Sequence, residues 1–114
     1  MKASGAIAEQ MAARYLQQKG LQLIEQNYQT RYGEIDLIMR DGKTLVFVEV
    51  RLRSNPGFGG AAMSITLAKQ QKIIRSAEHY LQTHGNANCR FDVVLMQSTR
   101  ESEMEWISHA FEAS

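Results

Sequence analysis

The stretch Gly33-Glu34-Ile35-Asp36-Leu37-Ile38-Met39-Arg40-Asp41-Gly42-Lys43-Thr44-Leu45-Val46-Phe47-Val48-Glu49-Val50-Arg51-Leu52-Arg53 holds two apolar runs on either side of Asp41-Gly42, and each run carries an acid. Acidic residues are depleted from strands and are costly to bury unless paired or bound to a cation. Asp36 and Glu49 inside core-like runs therefore mark a candidate metal site. An Asp-Gly pair favours a two-residue hairpin turn, which would set Arg40 opposite Lys43 and Asp36 opposite Phe47. Side chains alternate between the faces of a strand, so Glu34, Asp36 and Ile38 would share a face with Leu45, Phe47, Glu49, Arg51 and Arg53. The opposite face, with Ile35, Leu37, Met39, Val46, Val48, Val50 and Leu52, would be almost pure core. The first face is apolar near the turn and charged at the open end.

Outward from the hairpin, residues 5–19 read as a helix with Ala8, Met11, Ala12, Tyr15 and Leu16 as its apolar stripe, Glu9 at the stripe's edge and Gly20 as its stop. Residues 21–28 read as a strand and 29–32 as a polar link. Residues 54–60, Ser-Asn-Pro-Gly-Phe-Gly-Gly, form a loop directly after the charged end of the hairpin, a placement common for ligand-contacting loops. Residues 64–84 suggest a long helix with Leu67, Ile74, Ala77 and Leu81 as its buried line and Lys69, Lys72 and Ser76 on a neighbouring polar face. Residues 90–97 read as a buried strand through Phe91, Val93, Val94 and Leu95, and 104–111 as a final edge strand with Trp106 and Ile107. The order describes an α/β domain with a mixed sheet.

At 114 residues with 44% hydrophobic composition, one domain spanning 1–114 with a core of its own is expected. A single cysteine, Cys89, allows no internal disulfide, and no signal-peptide apolar region develops before Glu9, so a reducing cytoplasm is the expected location. No apolar run approaches the roughly 18 residues of a membrane-spanning helix. The net charge of +1 does not itself call for nucleic acid. Its distribution does more: residues 50–77 contain no Asp or Glu but hold Arg51, Arg53, Lys69, Lys72 and Arg75, which could make one positive surface or simply a solvated helix face. His79, His84 and Cys89 are spaced by five, about 140° off register on a helix, so the histidines do not share a face for zinc. Gly57-Phe58-Gly59-Gly60 lacks the Gly-Lys-Ser/Thr of a phosphate-binding loop.

The segments Ala8-Glu9-Gln10-Met11-Ala12, Gly33-Glu34-Ile35-Asp36-Leu37-Ile38, Phe47-Val48-Glu49-Val50-Arg51-Leu52-Arg53 and Arg90-Phe91-Asp92-Val93-Val94 resemble, over residues 7–96, the YraN family of small bacterial proteins. They also resemble the wider PD-(D/E)XK nuclease superfamily, which includes restriction endonucleases and archaeal Holliday junction resolvases. The resemblance implies a restriction-endonuclease-like core of order α-β-β-β-α-β, with a mixed sheet flanked by helices. It implies a Mg²⁺ or Mn²⁺ site with Glu9, Asp36 and Glu49 as ligands together with the Val50 carbonyl, and oxygen donors of this kind suit those ions. It further implies hydrolysis of DNA phosphodiesters, in branched or structured DNA, leaving a 5′-phosphate. Two coordinated cuts in a junction would favour a homodimer.

One position departs from the superfamily pattern: Arg51 stands where the lysine is expected. Arginine is effectively always charged and cannot act as a base, though it can hold the scissile phosphate. Lys69 on the following helix is the candidate to replace the lysine. Arg51, Arg53, Lys69, Lys72 and Arg75 would grip the DNA backbone. The substitution also supports a second expectation, a catalytically inactive member of the fold that binds nucleic acid or a protein partner. Read without the resemblance, Asp36 and Glu49 could pair with Arg51 and Arg53, Glu9 could be a solvated helix residue, Glu34 could pair with Arg51, and Tyr15, Tyr80 and Trp106 are core candidates.

Overall fold

The computed structural model describes residues 3–52, 65–97 and 103–113. Its elements run α1 (Ala3–Gln18), β1 (Gln22–Thr30), β2 (Gly33–Asp41), β3 (Thr44–Leu52), α2 (Leu67–His84), β4 (Cys89–Met96) and β5 (Met104–Phe111). The strands form one sheet in the order β1-β2-β3-β4-β5, antiparallel except for the parallel pair β3 and β4. A parallel pair needs a long crossover, and α2 lies in it. The mixed α/β architecture expected from the sequence is present, and β5 lies at the sheet edge where a final edge strand was expected. Arg53 and the loop expected at 54–60 lie outside the described residues.

The two helices cover opposite faces of the sheet. Ala8, Ala12, Ala13 and Leu16 of α1 pack on Leu37, Met39, Val46, Val48, Val94 and Met96, while Ile73, Ala77 and Tyr80 of α2 pack on Ile38, Leu45, Phe47 and Phe91. The near-continuous apolar runs of β2, β3 and β4 follow from this double cover. The buried line on α2 differs from the expected one. It runs through Ile73, Ser76, Ala77 and Tyr80 at spacings of three and four, whereas Leu67 at the helix start is 76% exposed and Ile74 and Leu81 are only half-buried. Ser76, expected on the polar face, is fully buried because its hydroxyl bonds Thr30 across to β1 at 2.9 Å.

The hairpin closes two residues away from the expected register. Asp41 pairs with Thr44, so Gly42 and Lys43 occupy the loop, and Gly42 takes φ 62° at the first central position, as a type II′ turn requires. A shift of two leaves the faces of both strands unchanged, because the side-chain period is two. It also moves Asp36 from Phe47 towards Glu49: the ladder ends at the pair Leu37–Val48, and just beyond it the Val50 N–H bonds the Asp36 carboxylate, which brings the two acids together.

The alternation slips once, next to Asp36. Ile35 joins the α2-side cluster and Leu37 the α1-side one. Across from Asp36, between the pairs Gln26–Leu37 and Tyr28–Ile35, stands Asn27 with φ 53°. Asparagine tolerates this left-handed conformation better than most residues. Ile35 was expected on the Leu37 face; the kink re-aims it, and it leaves Asp36 where both layers of the fold meet.

Candidate metal and phosphate site

Three carboxylates from three elements come together at the open end of the hairpin. Glu9 reaches in from α1, Asp36 stands on β2 and Glu49 on β3, and all are buried, at 5%, 7% and 4% exposure. They line a pocket of about 240 Å³ together with Glu34, Val50 and Lys69. Glu9 is therefore no solvated helix residue. One turn of α1 separates it from Ala12 and Ala13, so the packing that buries the alanines carries Glu9 over the sheet edge.

Asp36 is the centre of the group. Its Oδ2 accepts the Val50 N–H at 2.9 Å, which fixes the carboxylate against β3. Burial, then the charge and hydrogen bonding of Asp36, push Glu49 up to about 8, against a smaller opposing effect of Lys69 and Arg51. Burial, then Asp36 and Glu34, push Glu9 up to about 7, while the Asn27 amide pulls it down. Like charges this close in a buried pocket cannot all ionise at neutral pH, so neighbouring carboxyls hold protons instead. Glu9 Oε1 and Glu49 Oε1 are buried without a hydrogen-bond partner among the described residues, as is Asn27 Oδ1. Orphaned buried oxygens are costly and call for an occupant or a function.

The cations sit on the outer side. Lys69 Nζ is 3.7 Å and Arg51 3.8 Å from Glu49 Oε2, and both side chains are about two-fifths exposed. Ion pairs this long and open do not neutralise the buried carboxylates, in line with the raised Glu49. Lys69 is held there by the start of α2, where the Thr66 hydroxyl accepts the Lys69 N–H at 3.1 Å. Glu34, considered as a partner for Arg51, accepts a hydrogen bond from Gln29 Nε2 at 2.7 Å. No group of three or more His, Cys, Asp and Glu side chains among the described residues already surrounds a single metal-sized point. The carboxylates form an open, proton-sharing row with Asp36 in the middle.

Of the residues singled out in the sequence, Glu9, Asp36, Glu49, Val50, Arg51 and Lys69 come together here. Lys72 and Arg75 lie further along α2, towards the β1–β2 turn. Asn27 was missed: it faces Glu9 from the kink in β1, and its only sequence signal is a turn-forming residue inside a strand. Asp92 lies apart from the carboxylates. It is fully buried and satisfied by Arg90 Nε at 3.2 Å, Trp106 Nε1 at 2.9 Å and the His109 N–H at 3.0 Å, which ties β5 to β4. Tyr80 is core, and Tyr15 and Trp106 are half-buried against the core. His79 bonds the Tyr28 hydroxyl through Nδ1 at 2.8 Å, and Cys89 is exposed. No helix among the described residues is long and apolar enough to cross a membrane.

Comparison with known proteins adds kinship. The model of the uncharacterised protein family UPF0102 matches residues 8–96. A UPF0102 protein of Nitrosomonas europaea is 60% identical over 111 residues, covering 96% of this chain and 94% of its own length. Another, of Methylobacillus flagellatus, is 55% identical over 113 residues, 99% of this chain and 100% of its own. A third, of Psychromonas ingrahamii, is 51% identical over 109 residues, 95% and 88%.

Proposed function

This chain belongs to the uncharacterised protein family UPF0102, and from its carboxylate pocket we propose that it is a Mg²⁺- or Mn²⁺-dependent endonuclease that hydrolyses phosphodiester bonds in DNA, with branched DNA as the favoured substrate. One observation carries this reading: three buried carboxylates meet with two partnerless oxygens, Glu9 Oε1 and Glu49 Oε1, while Lys69 and Arg51 stand on the solvent side. The donor set fits the ion in kind, since all three side chains offer hard oxygens and the Val50 carbonyl adds a fourth. When bound, the ion would orient a water, lower its pKa and neutralise charge building on the phosphate.

The chain's own groups divide the remaining work. Glu9 and Glu49 release the protons they hold in the ion-free protein, so binding is expected to strengthen as pH rises. Asp36, fixed by the Val50 N–H, keeps the other two in line. Arg51, permanently charged, binds the scissile phosphate and stabilises its developing negative charge. Lys69 takes the place of the missing lysine as a cation beside Glu49 that positions the attacking water, whose proton passes to solvent as the water oxygen bonds phosphorus and the bond to the 3′ oxygen breaks. A 5′-phosphate and a 3′-hydroxyl result.

Arg51 also supports a second reading, a nuclease fold that binds DNA without cutting it. Incubation of the protein with branched, flapped and linear DNA in Mn²⁺, beside Asp36→Asn and Arg51→Lys, separates the two. Cleavage by the natural chain that is lost in Asp36→Asn supports the endonuclease. Binding without cleavage under every metal condition favours the second reading, and cleavage that survives Asp36→Asn points to a contaminant.

A further inference from the structure

A second cleft, of about 600 Å³, opens beside the carboxylate pocket between the β1–β2 turn and α2. Its chemistry is that of an anion site with an aromatic floor. The Arg31 guanidinium lies 5.0 Å and that of Arg75 5.9 Å from the centre of the Tyr32 ring, and Arg31 also donates to the Tyr32 hydroxyl at 2.9 Å. Neither arginine has a carboxylate partner among the described residues, although Glu78 is part of the lining. Two guanidiniums held over one ring, without an ion pair to a carboxylate among the described residues, present the planar fork that recognises phosphate oxygens.

The turn that carries Arg31 and Tyr32 is braced on α2. Thr30 Oγ1 bonds the buried Ser76 hydroxyl at 2.9 Å, donates to the Gly33 carbonyl at 3.1 Å and accepts the Tyr32 N–H at 3.0 Å. Gly33 lies so close to Lys72 that a β-carbon there would stand 3.5 Å from the lysine's own. A site built on braced elements binds at less entropic cost than a floppy one. The cleft also shares a wall with the carboxylate pocket, because Gln29 on its rim donates to Glu34, which lines the other side.

We propose that this cleft is a subsite for the DNA strand, in which Arg31 and Arg75 over Tyr32 grip a backbone phosphate displaced from the one at the carboxylates. The proposal rests on the nuclease reading and names where its substrate strand runs. Arg75 stands six positions beyond Lys69 on α2, a rise of about 9 Å, which is roughly two to three nucleotides at about 3.4 Å each. Lys72 bridges the interval. The strand would run along α2 from Lys69 to Arg75, and the phosphate grip, which reads no base, would set its direction.

The test is equilibrium binding of a labelled DNA strand and of a four-way junction by fluorescence anisotropy in EDTA, where nothing can be cut. Compared are the natural chain, Arg31→Gln/Arg75→Gln, and Arg40→Gln/Lys43→Gln at the far end of the hairpin as a control for bulk charge. The subsite requires at least a tenfold loss in the first variant, a salt slope shallower by about two, and little change in the control, with circular dichroism and Tm unchanged. Equal losses in both variants, or no loss in the first, would overturn the subsite while leaving the nuclease reading intact. Displacement by inorganic phosphate beyond that by chloride at matched ionic strength is expected to be larger for the natural chain than for Arg31→Gln/Arg75→Gln, and equal displacement from the two would overturn the subsite. Absence of DNA binding by the natural chain would overturn both.

Discussion

Replacing Glu49 by glutamine should stabilise the protein, and by an amount that grows with pH. Glu49 holds its proton to about 8 in the folded state but to about 4.5 in the unfolded one, so between these values folding takes up a proton. Stability of the natural chain therefore falls as pH rises from about 4.5 through about 8, the reverse of a salt-bridged carboxylate. A displacement from 4.5 to about 8, at about 1.4 kcal/mol per pH unit, sets a ceiling of about 5 kcal/mol above pH 8. Relaxation and water entry through the open side of the pocket reduce this, and about 2–3 kcal/mol is the working figure. Glutamine keeps the shape, does not titrate and can donate its amide to Asp36. The pairs lost with Lys69 and Arg51, at 3.7 and 3.8 Å and open to solvent, offset little of the gain. Urea unfolding in EDTA, followed by circular dichroism from pH 5 to pH 9, reads the effect directly. Glu49→Gln should lie within about 1 kcal/mol of the natural chain at pH 5 and about 2–3 kcal/mol above it at pH 9, with a shallower slope between. A gap that stays constant with pH, or natural-chain stability that rises over this window, would refute the buried, proton-sharing cluster.

Added Mn²⁺ should reverse that trend: the rise in Tm that it causes is expected to be larger at pH 8.5 than at pH 6, because the ion displaces protons from Glu9 and Glu49. A rise independent of pH would place the ion elsewhere. Lys69→Met should lower cleavage kcat by about 100-fold while DNA binding in EDTA changes by less than about threefold, the signature of a group needed in the chemical step. Equal losses in both would reduce Lys69 to a backbone contact. Asp92→Asn should cost about 2–3 kcal/mol and shift the Trp106 near-ultraviolet signal, since it weakens charge-assisted bonds to Arg90, Trp106 and the His109 N–H. An unchanged stability would mean that β5 is not held by this carboxylate.

The two acids in the hairpin were legible because parity is robust. The turn lies one residue beyond the expected Asp41-Gly42 pair, which shifts the register by two, and an even shift keeps Asp36 and Glu49 on their face. What parity could not give is adjacency: only the Gly42-Lys43 loop sets the acids side by side, and the choice between Asp-Gly and Gly-Lys as the central pair depends on turn energetics that adjoining residues leave nearly balanced. Lys69 was legible as a candidate, but its approach to Glu49 depends on the Thr66 cap and the rotation of α2. That rotation was misjudged because Leu67 and Ile74 are apolar yet lie off the face that Ser76 and Tyr80 anchor. Arg75 was legible as a backbone contact, but Asn27 and the gathering of Arg31 and Tyr32 beside Arg75 were not. Both arise from the kink and turn of β1, where a left-handed asparagine and a Thr30–Ser76 bond act across the fold.

The most direct test of the carboxylate site is a titration of Mn²⁺ into the natural chain and Asp36→Asn at pH 8, followed by the electron paramagnetic resonance of the free ion. Saturable binding by the natural chain, weakened at least tenfold by Asp36→Asn with Tm in EDTA no lower, is the expected result. Equal binding by the two chains, or none by either, would contradict the assignment of Glu9, Asp36 and Glu49 as the metal-holding centre.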